Sequence, residues 1–400
     1  MLKGQPRGET RYSPTGILQR ENATILNAAL LYFASKTVAG FQASTRGLSL
    51  DCPLFLTSND GTLMSCEQAE KFPIKTFSSG PTNSMRGANF LAGLASGKPR
   101  KETALVVDVG GTTTEIGVLL PTGFPRQAGA SHELCGVSLN FSMPHVHSIG
   151  LGGGSRVRQG EDGRITIGPD SVGYRIDKAI SFGGDTLVAT DIMVASGAVK
   201  DVGDAERVKH LDPALLAAAQ ARIKTMLEAA IDSMKTSTQD TPVYLVGGGA
   251  ILAPDHLHGV SEVHRFPFYD AANAVGAACA QISGVIDTFE DTSGGSIQAV
   301  QKQVEKRAIE KAIAAGANPA NTVVVESEAI PIACKPVRDS LRILSLTRQT
   351  HKGAAGSTSR PRASGPVPLL SRPRRTRSTL TLPESSHPRR PCPRCPLPTR

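Results

Sequence analysis

The chain lacks several patterns that would each point to a particular class of protein. It contains no GxxxxGK[ST] sequence, which excludes the lysine-containing phosphate loop. No apolar run approaches membrane-spanning length, and residues 1–15 are polar and rich in glycine and proline, unlike a secretory leader. The seven cysteines are scattered, and the lone Cys392–Cys395 pair has no second pair to complete a zinc site. We therefore expect a reduced, cytoplasmic protein with no membrane partner.

Basic charge is concentrated at one end of the chain. Residues 337–400 carry 14 Lys/Arg against 2 Asp/Glu and hold 10 of the 27 prolines, whereas the net charge of the whole chain is only +9. Residues 1–336 are therefore slightly acidic. The Arg/Pro-rich segment has no sustained apolar period, so we predict a disordered tail over 337–400. It could be an arm for nucleic acid or an anionic surface; we favour a plain unstructured extension and do not expect nucleic acid as a partner.

The most informative stretch follows the apolar run at residues 104–107. Asp108 ends this predicted strand, and Gly110 and Gly111 then allow a tight turn and a close approach of the backbone to a ligand. Thr112 and Thr113 add hydroxyls and N–H groups, so the turn could form an anion-binding concavity for phosphate. Asp108 suits a water-bridged Mg²⁺, a cation that prefers oxygen ligands. The alternative is an ordinary hairpin turn between two strands of a sheet.

Two further stretches are rich in glycine. The strand at residues 243–246 ends in Gly247, Gly248 and Gly249, which could let a nucleoside lie against the backbone or could simply form a tight turn. In the glycine-rich segment 145–155, His147 could polarise a substrate carbonyl or bind a metal, or it could be a structural histidine. Asp191 stands near the start of a predicted helix, where it could reach a substrate or cap that helix.

Periodicity gives a coarse order of elements along the chain. We predict a polar loop at 78–84, and the apolar spacing elsewhere indicates alternating strands and helices of an α/β protein. Helices are predicted at 21–42, 66–71, 85–95, from Asp212-Pro213 onward, 270–283 and 300–315. Strands are predicted at 54–56, 74–77, within 105–119 (two strands), 164–167, 243–246 and 322–326.

Several segments together resemble one protein family. Residues 108–117 are similar to the second phosphate motif of actin-like ATPases, and residues 245–250 followed by 270–277 are similar to their adenosine motif. Four other stretches look like the hydantoinase/5-oxoprolinase family in particular. These are residues 21–27, 77–81, 147–155 and 168–171. The resemblance extends from about Thr15 to Ala333, and it rests on the order and spacing of the motifs.

The resemblance implies a fold, an activity and a set of site residues. The expected fold is α/β, with part of an actin-like ATPase (ribonuclease H-like) lobe. The expected domains are a disordered start at 1–15, the remainder of a hydantoinase A-type region at 16–100, the nucleotide-binding lobe at 101–300, a helix and strand at 301–336, and the tail at 337–400.

The expected activity is that of a hydrolase which uses ATP and Mg²⁺ to open a cyclic amide such as a hydantoin or 5-oxoproline. A second hydantoinase B-type subunit or domain is a possible partner. The resemblance assigns catalytic roles to Asp108, His147 and Asp191, and Asp108 also orients the metal. It assigns ATP binding to Gly110, Gly111, Thr112, Thr113, Gly247, Gly248 and Gly249.

The sequence departs from the family pattern in three places. No first Asp-x-Gly-Gly-Thr motif precedes residue 15, His145 stands where the family usually has aspartate, and the basic tail replaces the family's continuation after Ala333. The first and third departures indicate a fragmentary gene product. Two alternatives therefore stay open: a truncated, non-catalytic relative that binds nucleotide or a partner subunit, and another actin-like ATPase such as a sugar kinase.

Overall fold

Helices and strands alternate along the chain in the computed structural model, which describes residues 17–96, 102–128, 132–134, 136–139, 141, 143–291, 296–331 and 340–349. The helices are α1 (Ile17–Gly47), α2 (Cys66–Lys71), α3 (Ser79–Ser96), α4 (Ala189–Ala195), α5 (Pro213–Met234), α6 (Ala272–Ala278) and α7 (Ile297–Ala314). The strands are β1 (Phe55–Thr57), β2 (Thr62–Ser65), β3 (Ala104–Val109), β4 (Thr114–Leu119), β5 (His132–Leu134), β6 (Val137–Leu139), β7 (Val146–Ile149), β8 (Ser155–Gln159), β9 (Ile165–Ser171), β10 (Thr241–Val246), β11 (Val260–His264), β12 (Gln281–Asp291), β13 (Thr322–Pro331) and β14 (Ser340–Gln349). The predicted α/β class is confirmed.

One five-stranded sheet carries the glycine motifs. Its strand order is β11-β10-β3-β4-β7. β4 is antiparallel to β3 and β7 is antiparallel to β4, whereas β10 is parallel to β3 and β11 is parallel to β10. A three-stranded meander extended by parallel strands is the arrangement expected of a ribonuclease H-like lobe. β3 and β10 read as nearly continuous apolar runs because both faces of the sheet are covered there.

Each face of this sheet has its own core. One face packs α4 and α5, and its buried residues include Val107, Ile116 and Leu245. The other face packs α3 and α6, with Val106 and Tyr244 among its buried residues. α5 begins as predicted: the Asp212 side chain accepts a hydrogen bond from the N–H of Ala214 at 3.0 Å, and proline occupies the first turn.

The two helices on the second face cross at glycines. A methyl group on Gly87 of α3 would overlap the carbonyl oxygen of Ala272, and one on Gly276 of α6 would overlap the carbonyl oxygen of Asn83. The backbones therefore approach more closely than any side chain would permit. Helix α6 therefore lies directly against the backbone of α3.

A second five-stranded sheet has the order β1-β2-β12-β14-β13, and α7 packs against it. Its strand β14 (Ser340–Gln349) pairs with β12 and with β13, so the prediction of disorder is wrong for residues 340–349. The prediction of disorder used the average composition of the whole basic segment. That average concealed a short apolar stretch, which forms a strand between β12 and β13. The remainder of the predicted tail and the predicted disordered start at 1–15 lie outside the described residues.

Three local predictions are wrong at residues 73–84 and 279–283. The strand predicted at 74–77 is a 3₁₀ helix, Pro73–Thr76, in which the Asn27 side chain accepts a hydrogen bond from the Ile74 N–H at 3.2 Å. The loop predicted at 78–84 forms the first turns of α3, where a proline is tolerated. The helix predicted at 270–283 gives way to β12 at Gln281. In each case polar side chains or strand pairing from distant parts of the chain decide the backbone conformation.

The helix α1 is longer and more exposed than expected. By length and composition it could cross a membrane, and only 11% of its most apolar window is buried. The expectation that no apolar segment reaches membrane-spanning length is therefore wrong for this helix, because alanine, serine and glycine separate its larger apolar residues and conceal the helix in a search for continuous runs. Leader sequences and core helices satisfy the same criterion.

The helix crossing gives a direct test of packing. Gly87→Ala should lower the free energy of unfolding by about 2–3 kcal/mol, since the added methyl group meets a backbone carbonyl that cannot move away. Gly93→Ala on the same helix is the matched control, because no atom lies within 4 Å of its added methyl group. That control should be neutral or stabilising by up to about 1 kcal/mol. Urea unfolding of both variants measures the difference, and equal midpoints would contradict the crossing.

Candidate functional site

The chain bends at glycines after β3 (Gly110 and Gly111) and after β10 (Gly247, Gly248 and Gly249), and these two glycine bends lie side by side at one edge of the sheet. β3 and β10 are parallel neighbours, and Asp108 is in register with Val246. The N–H of Gly249 donates to the carbonyl of Val109 at 2.7 Å, and a methyl group on Gly249 would come within 2.5 Å of the carbonyl oxygen of Gly110. The structure thus brings the two motifs together at the carboxyl ends of parallel strands, where ligands of open α/β sheets bind.

The hairpin after Asp108 presents backbone donors to the outside. Gly111, Thr112 and Thr113 are exposed at its tip. Within the described part of the chain, the N–H groups of Gly111 and Thr112 have no hydrogen-bond partner, and a methyl group on Gly111 would meet only open space. Gly110 differs, because its N–H already donates to the carbonyl of Thr113 at 2.9 Å. The tip therefore carries two unpaired N–H groups, and the hydrogen bond of Gly110 shapes the turn.

The second glycine-rich loop supports this hairpin from behind. The N–H of Gly153 donates to the carbonyl of Gly110 at 3.0 Å, and the N–H of Gly154 donates to the carbonyl of Gly111 at 2.7 Å. A methyl group on Gly152 would come within 2.5 Å of the Thr112 nitrogen. These glycines are needed for backbone packing, and the hydrogen bonds of Gly153 and Gly154 hold the two hairpin carbonyls in place.

Asp191 and Thr190 hold that loop through α4. The Thr190 hydroxyl donates to the carbonyl of Gly153 at 2.9 Å. The fully buried Asp191 carboxylate accepts from the Val188 N–H at 3.0 Å, the Ser181 N–H at 2.8 Å and the Ser181 hydroxyl at 2.6 Å, and it also accepts from the Ile180 N–H at 3.2 Å. Four hydrogen bonds occupy about the full accepting capacity of a carboxylate. The geometry therefore supports a capping and positioning role for Asp191.

His147 lies on the other face of the sheet from Asp108. In β7 it pairs with Ile116, which belongs to the core under α5, whereas Ser148 pairs with Glu115. Residues directly opposite one another in antiparallel strands share a face. The structure consequently does not bring His147 to the Asp108 carboxylate. Its neighbour His145 has a pKa below the usual range, chiefly because of burial and secondarily because Arg126 and His147 are close.

Asp108 forms a carboxylate pair with Glu115, a residue that sequence reasoning missed. The two are directly opposite in the hairpin formed by β3 and β4. Burial raises the pKa of Asp108, although a hydrogen bond with Ser84 opposes that shift. Burial, followed by repulsion from Asp108, raises the pKa of Glu115 to about 7. The sequence contained the signal for this pair, because residues at equal distances from a hairpin turn lie opposite each other in the two strands.

A short polar chain connects this carboxylate pair to the glycine crossing. The Asn273 amide of α6 donates to the Ser84 hydroxyl of α3 at 3.1 Å and to the carbonyl of Gly80 at 3.0 Å. Across the described residues, no group of three or more His, Cys, Asp or Glu side chains could hold a metal ion. Mg²⁺ at this edge would need water and phosphate oxygens beside Asp108, which is the usual manner of its binding in nucleotide sites.

Neighbouring glycines of the β10 bend have different surroundings. A methyl group on Gly247, whose φ is +90°, would overlap the Asp108 carboxylate, so this glycine is required by the fold. Gly248 is exposed, and a methyl group there would have no atom within 4 Å. Gly248 therefore lies open at the bend, where a flat ligand could approach the backbone.

The fold and this edge define a class, the α/β proteins with a mixed sheet in which two glycine bends meet at the carboxyl ends of parallel strands. The family can be named more narrowly. The model of the hydantoinase/oxoprolinase family matches residues 20–285. The chain belongs to the hydantoinase/oxoprolinase family. No curated protein matches the chain.

Two solved structures share the fold. A nucleotide-free acetone carboxylase, described as acting in ATP-dependent acetone carboxylation, is 18% identical with a TM-score of 0.65 and covers 84% of this chain. An ATP-dependent caprolactamase from Pseudomonas jessenii is 15% identical with a TM-score of 0.55 and covers 82% of this chain. The chain spans 58% and 57% of these two relatives.

The raised pKa of Glu115 predicts how stability depends on pH. The unfolded carboxyl ionises near its model value of 4.5, but the folded one keeps its proton until about pH 7, so ionisation opposes folding as pH rises between these values. Relative to the wild type, Glu115→Gln should therefore gain about 2 kcal/mol of unfolding free energy between pH 4 and pH 8, after allowance for solvent screening.

Urea unfolding at several pH values measures this gain. The matched control is Glu161→Gln, the same substitution at an exposed turn away from the pair, and its unfolding free energy should stay within about 0.5 kcal/mol of the wild type. A Glu115→Gln curve parallel to the wild-type curve at all pH values would contradict the buried carboxylate pair.

Proposed function

We propose that this chain supplies the nucleotide-binding lobe of a hydrolase that uses ATP and Mg²⁺ to open a cyclic amide of the hydantoin or 5-oxoproline type. The observation that carries the proposal is the direct contact between the two glycine bends. One bend has free N–H groups for phosphate and the other has open backbone for a nucleoside, and ATP contains both groups in one molecule. Family membership supports the same assignment.

The chemistry explains why ATP would be used. A five-membered lactam retains its amide resonance and has little strain, so water attacks it slowly. Transfer of the γ-phosphoryl group to the amide oxygen would give ADP and an activated carbon. Attack by water at that carbon would break its bond to the ring nitrogen, which leaves with a proton. The resulting acyl phosphate would be hydrolysed by a second water to the carboxylate and inorganic phosphate. This chain would contribute by positioning the transferred phosphoryl group and stabilising its charge. ATP dependence is the property that the names of the two solved relatives share, and one of them is a lactamase.

Each residue of the site has a role in this proposal. The N–H groups of Gly111 and Thr112 and the hydroxyls of Thr112 and Thr113 bind phosphate. Asp108 orients Mg²⁺ through water, and Glu115 keeps a proton beside it near neutral pH. Gly248 receives the nucleoside, while Gly110, Gly247 and Gly249 shape the two bends. Asp191 positions the supporting loop.

The cyclic amide would contact residues beyond this edge. His147 lies on the opposite face of the sheet, so its proposed contact with substrate requires a separate surface from the one that holds phosphate. Because the chain spans 58% and 57% of its two solved relatives, we propose that a second lobe, or a hydantoinase B-type subunit or domain, completes the substrate site. We also propose that the protein works in the cytoplasm.

A non-catalytic relative is the second candidate. The Asp-x-Gly-Gly-Thr pattern occurs once in the sequence, at Asp108, whereas the family pattern has a first motif of this kind in addition. A lobe with one phosphate motif could bind nucleotide and a partner subunit without turnover. Equilibrium binding of an ATP analogue, measured beside hydrolysis of hydantoin and 5-oxoproline, separates the two candidates.

The role of Asp108 can be measured by turnover. Asp108→Asn should lower Mg²⁺-dependent ATP hydrolysis, coupled to opening of hydantoin or 5-oxoproline, by about a hundredfold, because the residue orients the metal in the transition state. ATP affinity should change much less. The exposed Asp185→Asn is the matched control. Wild-type protein that binds ATP without turnover would favour the non-catalytic candidate, and wild-type protein that binds no ATP would overturn both.

Gly248 provides a test of the nucleoside position. Gly248→Ala should fold normally, because its methyl group has open space, yet it should weaken ATP binding by about tenfold by blocking close approach of the ligand. Gly247→Ala should instead destabilise the fold, since it combines a φ of +90° with a clash against Asp108. Calorimetric titration and thermal unfolding compare the two. Unchanged ATP affinity in Gly248→Ala would place the nucleoside elsewhere.

A further inference from the structure

Phe268 has a backbone conformation that is costly for a bulky residue. Its φ is +64° and its ψ is +25°, which is the left-handed region. Asparagine and aspartate enter this region more readily than phenylalanine, which is a genuine outlier there. Outliers of this kind persist only where the surrounding structure holds them, and they cluster at ligand sites.

The segment that carries Phe268 is anchored on both sides. The carbonyl of Phe266 accepts a hydrogen bond from the N–H of Tyr269 at 3.1 Å, and the Phe266 ring packs edge to face on Tyr244 with centroids 5.2 Å apart. Tyr269 packs against the cores on both faces of the sheet. Phe268 between them is nevertheless 72% exposed. The ring is thus held out into solvent by fixed neighbours and contributes little to the core.

The same segment is joined to the open glycine bend. The N–H of Gly247 donates to the carbonyl of Tyr269 at 3.0 Å, so Phe268 lies one residue from a backbone bond to the bend. Gly248, the next residue of the bend, is exposed and faces open space. The segment with the exposed aromatic residue is therefore joined by a backbone hydrogen bond to the bend with the open backbone.

We propose that Phe268 forms the platform on which the nucleobase of the bound nucleotide stacks. This inference rests on the proposed function, and it extends that function from phosphate and sugar to the base. A π-face stacks on any base, so the ring contributes to affinity more than to the choice among bases. A large flat partner also accounts for exposure of a phenylalanine in a strained conformation, since the ligand covers the ring.

The test compares ATP with inorganic tripolyphosphate, which has phosphates but no base, in calorimetric titrations of the full chain with Mg²⁺. Phe268→Asn removes the ring and puts a residue that tolerates the left-handed conformation in its place. We expect this variant to lose roughly tenfold or more in ATP affinity and to bind tripolyphosphate within about twofold of the wild type. Its thermal stability should be equal or higher, whereas removal of a core residue would lower it.

Two further variants complete the design. Phe268→Tyr keeps a ring and should bind ATP within about threefold of the wild type. Phe33→Asn removes a ring that is 67% exposed on α1 and should leave the affinity for ATP unchanged. Wild-type affinity for ATP in Phe268→Asn would overturn the inference alone, as would equal losses for ATP and tripolyphosphate. Failure of the wild-type protein to bind ATP would overturn the proposed function and the inference with it.

Discussion

The parallel pairing of β3 with β10 is the constraint on which the site depends. It sets Asp108 level with Val246, so the two strands end together and their glycine bends leave the sheet at one edge. The bond from the Gly249 N–H to the Val109 carbonyl at 2.7 Å then fixes the bends against each other. A shift of one residue in this register would turn the side chains of β10 to the opposite faces of the sheet and move its glycine bend out of line with the hairpin.

Glycine serves two different purposes around this edge. Gly249 and Gly152 lie so close to neighbouring backbone that a methyl group would come within 2.5 Å of another atom, and they are therefore requirements of packing. Gly111 and Gly248 face open space, so the fold alone does not demand them. The sequence of a glycine motif does not show which of its glycines are required by packing. Only the open positions leave room for a ligand beside the backbone.

The carboxylate pair shows how packing creates the electrostatics of the site. α3 and α6 can cover Asp108 because they cross at Gly87 and Gly276, where the backbones come into contact. This cover removes water from the hairpin, and burial then raises the pKa values of both Asp108 and Glu115. A hydrogen bond from Ser84, itself joined to Asn273, offsets part of that cost at Asp108. The close crossing of the two helices is thus also the cause of the raised pKa values of this carboxylate pair.

The sequence by itself determined the α/β class, the Asp212 cap of α5, the hairpin around Gly110 and Gly111, and the two strand-to-glycine transitions, because all of these depend on neighbouring residues and local geometry. The tertiary structure alone decided which candidates meet. It buried Asp191 under four hydrogen bonds, put His147 on the far face and added Glu115 to Asp108. It also recruited β14 from the basic segment. These outcomes depend on strand register and on contacts between residues far apart in the chain, which no local pattern specifies.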